Sequence, residues 1–266
     1  MTVQRVSSKW TKTKIILKNK GLASYVPATS LYSLEALEQM LETYTLVYIK
    51  PDRGTYGNGV MCVEINLSGD PDSSESIKTY TLRYETITKH FSTVEQLDKT
   101  VRHLCQGKEY LIQQGIRLLR HKGRSFDLRV LAQKTPSGRW ESTGIIGRVA
   151  AKEKIITNHH SGGSIKHFKV LMSEHMTPTE AENIRDELNV LGVNIASQLQ
   201  KAYPNLKEIG LDVAIDERWN IWILEVNTKP ALFPFKKFFK DKSVYHKVKK
   251  YADAYGRNTT SKKKAN

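Results

Sequence analysis

The sequence predicts an α+β fold with mainly antiparallel sheet, and three observations lead there. Strand-like and helix-like runs mix along the chain without the regular strand–helix–strand alternation of a parallel sheet. The β-rich runs Leu46–Ile49 and Val60–Ile65 are joined by Lys50-Pro51 and a glycine-rich turn, too short for a crossover helix. Further on, Leu211–Ile215 and Ile221–Asn227 read as a second hairpin turning through Asp216–Asn220.

Lys14–Leu17 reads as the end of a first helix, and Ser30 or Ser33 opens an amphipathic helix through Leu34, Leu37, Leu41 and Tyr44. After the first hairpin comes a Ser/Asp/Gly-rich loop over 66–78, then one or two strands over Lys78–Ile87. Ser92 with Glu95 forms a capping box for a helix carrying Val94, Leu97, Val101 and Leu104. Tyr110–Gln113 is a short strand. Phe126–Ala132 and Trp140–Val149 are longer ones, joined at Pro136-Ser137-Gly138. Thr177, Pro178 and Glu180 start the longest helix, with Ile184, Leu188, Leu191, Ile195 and Leu199 on one face, and Pro204 closes it. We set a lobe boundary near residue 112, which gives an N-terminal lobe over 1–112 and a C-terminal lobe over 113–245. A basic, flexible tail follows over 246–266.

Composition narrows the partners. The 266 residues are 39% hydrophobic and 26% charged, enough apolar material for a sizeable core. No apolar run reaches the roughly 18–20 residues of a membrane-spanning helix, and the start lacks a secretory signal, so a membrane partner is not expected. Cys62 and Cys105 lie far apart in a strand and a helix, which reads as two reduced, buried thiols in a cytoplasmic protein. The net charge of +15, from 42 Lys and Arg against 27 Asp and Glu, favours polyanionic company such as nucleotide phosphates.

Two constellations carry chemistry. Glu225 and Asn227 are two apart on a strand and share a face, and a turn at 217–220 would set Ile215 opposite Trp222 and Asp212 opposite Glu225. Three converging oxygen-bearing side chains are either the solvent face of an amphipathic hairpin or hard ligands for Mg²⁺. Val213, Ile215, Ile223 and Val226 on the other face, with Trp222 and Leu224 beside the acids, suggest a strand buried on both sides, where carboxylates need a metal or a salt partner. Lys50 precedes Gly54, Gly57 and Gly59. That segment is a plain β-turn or a loop whose N–H groups and lysine approach phosphate. It is not a P-loop, because no helix follows.

The order of Lys9, Lys50 with its glycine loop, Asp127-Leu-Arg129, Arg148, Asn158 and then Asp212, Glu225 and Asn227 resembles the ATP-grasp superfamily, and within it the YheC/YheD family of endospore coat-associated proteins. The resemblance runs from about Ser8 to Pro230. It implies two α+β lobes clasping ATP between them, and a spore association. It also implies that Lys9 and Lys50 are the nucleotide lysines and that Gly54, Gly57 and Gly59 belong to a loop closing over the phosphates. Gln113, Gln114 and Ile116 would lie at the hinge that reads adenine, and Asp127 and Arg129 would line the same cleft. Asp212, Glu225 and Asn227 would hold Mg²⁺, while Arg148, Asn158 and Lys50 would act on the transferred phosphoryl group. His159 and His160 would be acid/base groups or loop residues near the acceptor. The N-terminal α/β domain that usually precedes the first lysine would be missing.

The implied reaction is carboxylate–amine ligation through an acyl phosphate, with ATP, a carboxylate and an amine acceptor as partners. Two alternatives are a coat protein that binds ATP without turnover and a basic nucleic-acid-binding module. For the second, Phe233-Pro-Phe-Lys-Lys-Phe-Phe-Lys240 is the best local match, although a C-terminal helix packing its aromatics on the core explains that segment more simply.

Overall fold

The computed structural model describes residues 3–55, 57–68, 77–151, 162–238 and 241–257. Its first sheet has the order β1-β6-β2-β3-β4-β5, from Thr29–Leu31 (β1), Leu46–Pro51 (β2), Met61–Ser68 (β3), Ile77–Tyr84 (β4), Ile87–Phe91 (β5) and Tyr110–Gln114 (β6). The second has the order β10-β9-β8-β11-β12, from Arg124–Lys134 (β8), Trp140–Val149 (β9), Ser164–His167 (β10), Glu208–Ile215 (β11) and Ile221–Asn227 (β12), with Arg120–His121 (β7) paired to β8. All of these pairings are antiparallel, as the short hairpin connections require.

The helices are Lys9–Leu17 (α1), Lys20–Ala23 (α2), Leu34–Thr43 (α3), Val94–Cys105 (α4), Phe168–Met172 (α5), Pro178–Ala202 (α6), Phe233–Lys237 (α7) and Ser243–Ala254 (α8). Their caps explain most of the starts. Ser33 accepts from Ala36 N at 3.1 Å, and Thr177 and Glu180 form a reciprocal capping box. The start of α4 differs from expectation by one residue: Thr93, not Ser92, accepts from Gln96 N. Among the described helices none is long and apolar enough to cross a membrane.

Three packed clusters set the layers. Leu37 and Leu41 of α3 and Leu97 and Val101 of α4 cover the first sheet. Leu128, Val130 and Ala132 point from β8 toward Leu188, Ile195 and Leu199 of α6, joined by Ile16 of α1 and Leu22 of α2. The residues before the first sheet therefore pack on the second. The opposite face of the second sheet is shared. Leu131 and Ile146 meet Phe235 of α7 and Val248 of α8, and the remainder faces the first lobe. Where composition suggested a flexible tail from 246, buried Val248 and Ala252 hold α8 on the sheet. Cys62 and Cys105 are free, buried thiols.

The hairpin of β11 and β12 departs from the expected register. Ile215 pairs with Ile221 and Ala214 with Trp222, so the turn is one residue tighter than expected. A bulge between Asp212 and Val213 then restores the pairing of Asp212 with Glu225. The turn is organised by Asp216, which accepts from the backbone N of Arg218 (2.8 Å) and Asn220 (3.0 Å) and from Trp222 Nε1 (2.8 Å).

Candidate functional site

One wall of the inter-lobe cleft is the face of the second sheet turned toward the first. Asp127 and Arg129, two apart on β8, share a face, with Arg148 opposite Asp127 and Asp212 opposite Arg129. Arg148 donates from Nε to Asp127 Oδ1 at 2.8 Å and reaches Asp212 Oδ2 at 2.9 Å. Arg129 grips both oxygens of Asp212, one through NH2 at 2.9 Å. Two arginines and two aspartates thus alternate in one buried row, each charge compensated. Burial would raise the Asp212 carboxyl, but the two guanidiniums outweigh it and hold the group below the usual carboxylate range. Burial likewise works against the Arg148 charge, and Asp127 and Asp212 more than restore it.

The other wall comes from the first sheet. Lys50, on β2, donates from Nζ to Gln113 Oε1 at 2.6 Å, and Gln113 in turn donates to Thr29. Burial, partly offset by Glu225, lowers the Lys50 ammonium to about 8. Gly54, Thr55, Gly57 and Asn58 form the rim. Gly57 and Gly59 have φ of +77° and +74°, and a Cβ on Gly59 would meet Tyr110 Oη at 2.7 Å. Lys9 bridges the walls: its Nζ donates to Pro51 O at 2.9 Å and lies 3.8 Å from Glu225 Oε1. The last residue of β6, Gln114, and Ile116 and Leu118 of the connection after it close the end of the cleft.

Of the residues singled out in the sequence, Lys9, Lys50, Gly54, Gly57, Gln113, Gln114, Ile116, Asp127, Arg148, Asp212 and Glu225 line this one cleft. Arg129 stands behind Asp212, and Gly59 underlies the loop against Tyr110. Asn227 lies beyond the cleft lining, its Oδ1 accepting from Lys229 N at 2.8 Å. Asn158, with His159 and His160, lies outside the described residues.

Sequence reading missed two members. Asp52 is buried and caps α1, accepting from Trp10 N (2.7 Å) and Ser8 Oγ (3.0 Å), so it anchors Lys9 to the root of the glycine loop. Lys12, buried one helical turn from Lys9, is lowered to about 8, chiefly by burial, with Glu225 opposing. Its spacing of three from Lys9 was the available signal.

Asp212 and Glu225, two carboxylates in register, are hard oxygen donors of the kind a divalent ion takes, whereas the Oδ1 of Asn227, one pleat further on, is engaged by Lys229 N outside the cleft lining. The oxygens of Asp212 are engaged by arginine, whereas Glu225 is half-open, with 35% of its side chain exposed.

Two antiparallel sheets closing on a lysine- and carboxylate-lined cleft define an ATP-grasp fold. D-cycloserine synthetase DcsG superposes with a TM-score of 0.54 over 93% of this chain and 70% of its own, at 10% identity, a likeness of fold alone. The chain belongs to the YheC/D like ATP-grasp family, whose model matches residues 1–256. Among its relatives are the endospore coat-associated proteins YheD and YheC of Bacillus subtilis. They are 25% and 23% identical over 84% of this chain, which spans 48% and 60% of their lengths.

Proposed function

We propose that the chain binds Mg–ATP in this cleft and uses it to join a carboxylate to an amine. The observation that carries this reading is the arrangement of charge. Lys9 and Lys50 face Glu225 and the Arg148–Asp212 pair across a gap rimmed by the glycine loop. That gap can take a polyphosphate between cations and a cation between the phosphates and carboxylates.

The substrate carboxylate attacks the γ-phosphorus, and the bond to the β–γ bridging oxygen breaks and releases ADP. The amine nitrogen then attacks the acyl carbon of the resulting acyl phosphate. Inorganic phosphate leaves, and the amine's surplus proton passes to solvent. Lys50 and Lys9 hold phosphate oxygens, and Arg148, oriented by Asp127, neutralises charge on the moving phosphoryl group. Gln113, Gln114 and Ile116 line the end of the gap that takes the adenine, with Arg129 fixing Asp212 behind. Asp212, Glu225 and Asn227 would hold Mg²⁺, which supplies charge neutralisation at the β- and γ-phosphates. The names of the B. subtilis relatives and the absence of any long apolar helix among the described residues support a cytoplasmic, spore-associated setting.

The test is magnesium-dependent ADP formation with carboxylate and amine mixtures, together with thermal stabilisation by Mg–ATP. The native chain should be stabilised, and Glu225→Ala and Lys50→Met should lose most of that shift. Equal stabilisation of all three would remove the reading. ATP binding without ADP formation for any acceptor would favour a coat protein that binds nucleotide without turnover.

A further inference from the structure

Charge is spread unevenly along the chain. From Lys229 to Arg257 there are nine lysines or arginines and only two aspartates, so nearly half of the net +15 falls in that stretch. This is the segment of α7 and α8, and it lies on the same face of the second sheet as the cleft. Arg148, Ile146 and Gly144 are successive residues on that face of β9. Phe235 packs on the latter two, and a Cβ on Gly144 would meet its ring at 2.6 Å. One same-face step along a strand is about 7 Å, so α7 begins roughly one step from the arginine–aspartate row. At its other edge the segment follows directly on β12, where the N–H of Lys229 donates to Asn227 Oδ1 two residues beyond Glu225.

Lys229, Lys236, Lys237 and Lys250 are exposed and have no ion pair among the described residues. A surface of this sign fits a polyanion, and the aromatics beside the lysines decide which kind. Among the described residues, Phe235 is buried, Tyr251 donates to Glu141 and Tyr255 to Glu208, and Tyr245 and Phe238 are half-buried against the core with Lys236 and Lys237 over their rings, so these residues offer no row of exposed rings to stack bases. Among the described residues of this segment, Phe233 and Val244 are the exposed large apolar side chains, too few for a membrane-inserting face.

Resting on the proposed ligase reading, we infer that the carboxylate substrate is a peptide segment rich in aspartate and glutamate. It is held along the lysines of α7 and α8, with one of its carboxylates reaching the cleft. Such a peptide supplies both the anionic flank that the lysines bind and the carboxylate that the cleft activates.

The experiment uses the full chain and four probes at one ionic strength: a fluorescent peptide with six consecutive glutamates, its glutamine counterpart, a single-stranded oligonucleotide, and phosphatidylglycerol vesicles. Anisotropy (co-sedimentation for vesicles) should show that the glutamate peptide binds more tightly than the other three. The double variant K236E/K237E should weaken that binding at least tenfold while keeping the Mg–ATP thermal shift. Tighter binding of the oligonucleotide or the vesicles, no preference for glutamate over glutamine, or unchanged peptide affinity in the double variant would each overturn the inference. Loss of the Mg–ATP shift in the native chain would instead count against the nucleotide reading, while the anisotropy would still judge the surface.

Discussion

Asp212 and Glu225 stand opposite each other in register, yet they live in different electrical surroundings: Asp212 is enclosed by Arg129 and Arg148, while Glu225 has, among the described residues, one ion pair, to Lys9 at 3.8 Å. The two carboxylates should therefore fail differently when changed. Asp212→Ala takes from the largely buried Arg129 its carboxylate partner and leaves Arg148 with Asp127 alone, and should cost about 3–5 kcal/mol in urea unfolding. Glu225→Gln gives up a loose, partly exposed contact and should cost under about 1 kcal/mol. If magnesium is held here, Glu225→Gln should nonetheless abolish the magnesium dependence of ATP-induced stabilisation.

Lys50 gives the cleft a pH dependence. Its folded-state pKa is lowered to about 8, and bound phosphate favours the protonated form. ATP affinity should be level below about pH 8 and fall above it, by as much as tenfold per pH unit. Calorimetric titration from pH 7 to 9.5 checks this. Lys50→Arg, which stays charged, should flatten the profile.

Gly115 lies where the chain leaves the first sheet, its N–H donating to Leu46 O at 2.8 Å. A Cβ there would stand 2.4 Å from Leu46 Cγ and 2.7 Å from Leu46 O, and the backbone oxygen cannot swing aside. Gly115→Ala should destabilise by about 1–3 kcal/mol, seen as a lowered midpoint of thermal unfolding.

Asp216 should make the β11–β12 turn acid-sensitive. Burial pushes its carboxyl up, but hydrogen bonds from Trp222, Asn220 and Arg218 outweigh this and lower it. The stabilisation is thus complete above the ordinary carboxylate range and is lost as pH falls through the lower, folded-state value. Asp216→Asn should cost about 1–3 kcal/mol at pH 7 and unfold with less dependence on acid below about pH 4. Trp fluorescence against urea at several pH values measures both.

What the sequence disclosed follows from which interactions are local. The hairpins at Lys50 and Asp216 and the cap at Thr177 are written within a few residues, and so were legible. The pairing of Asp212 with Glu225 was expected from a register that puts Ile215 against Trp222. The structure reaches the same pairing through a tighter turn and a bulge, which leave no periodicity to read. The α4 cap could not be assigned because Ser92 and Thr93 offer adjacent hydroxyls. The short β1, β7 and α2 fall below any pattern, and the packing of α1 on the second lobe is a long-range contact that α1 alone does not encode. Most of the cleft lining was legible as residue types in order. That Arg148 is shared by Asp127 and Asp212 required the sheet.

Glu208, fully buried, is gripped by Arg5 on one side and by Arg257 on the other. The same arginines bind the carbonyls of Thr228 and Pro230, immediately after Asn227. Contacts of such long sequence separation form late in folding and are the first to fray, because everything between them must already be in place. The described ends of the chain thus act as a latch on the strand that carries Glu225. Releasing them would disarm the cleft by a small opening well before either sheet melts, so protease sensitivity near the ends and loss of nucleotide binding should rise together at temperatures where the lobes are still intact.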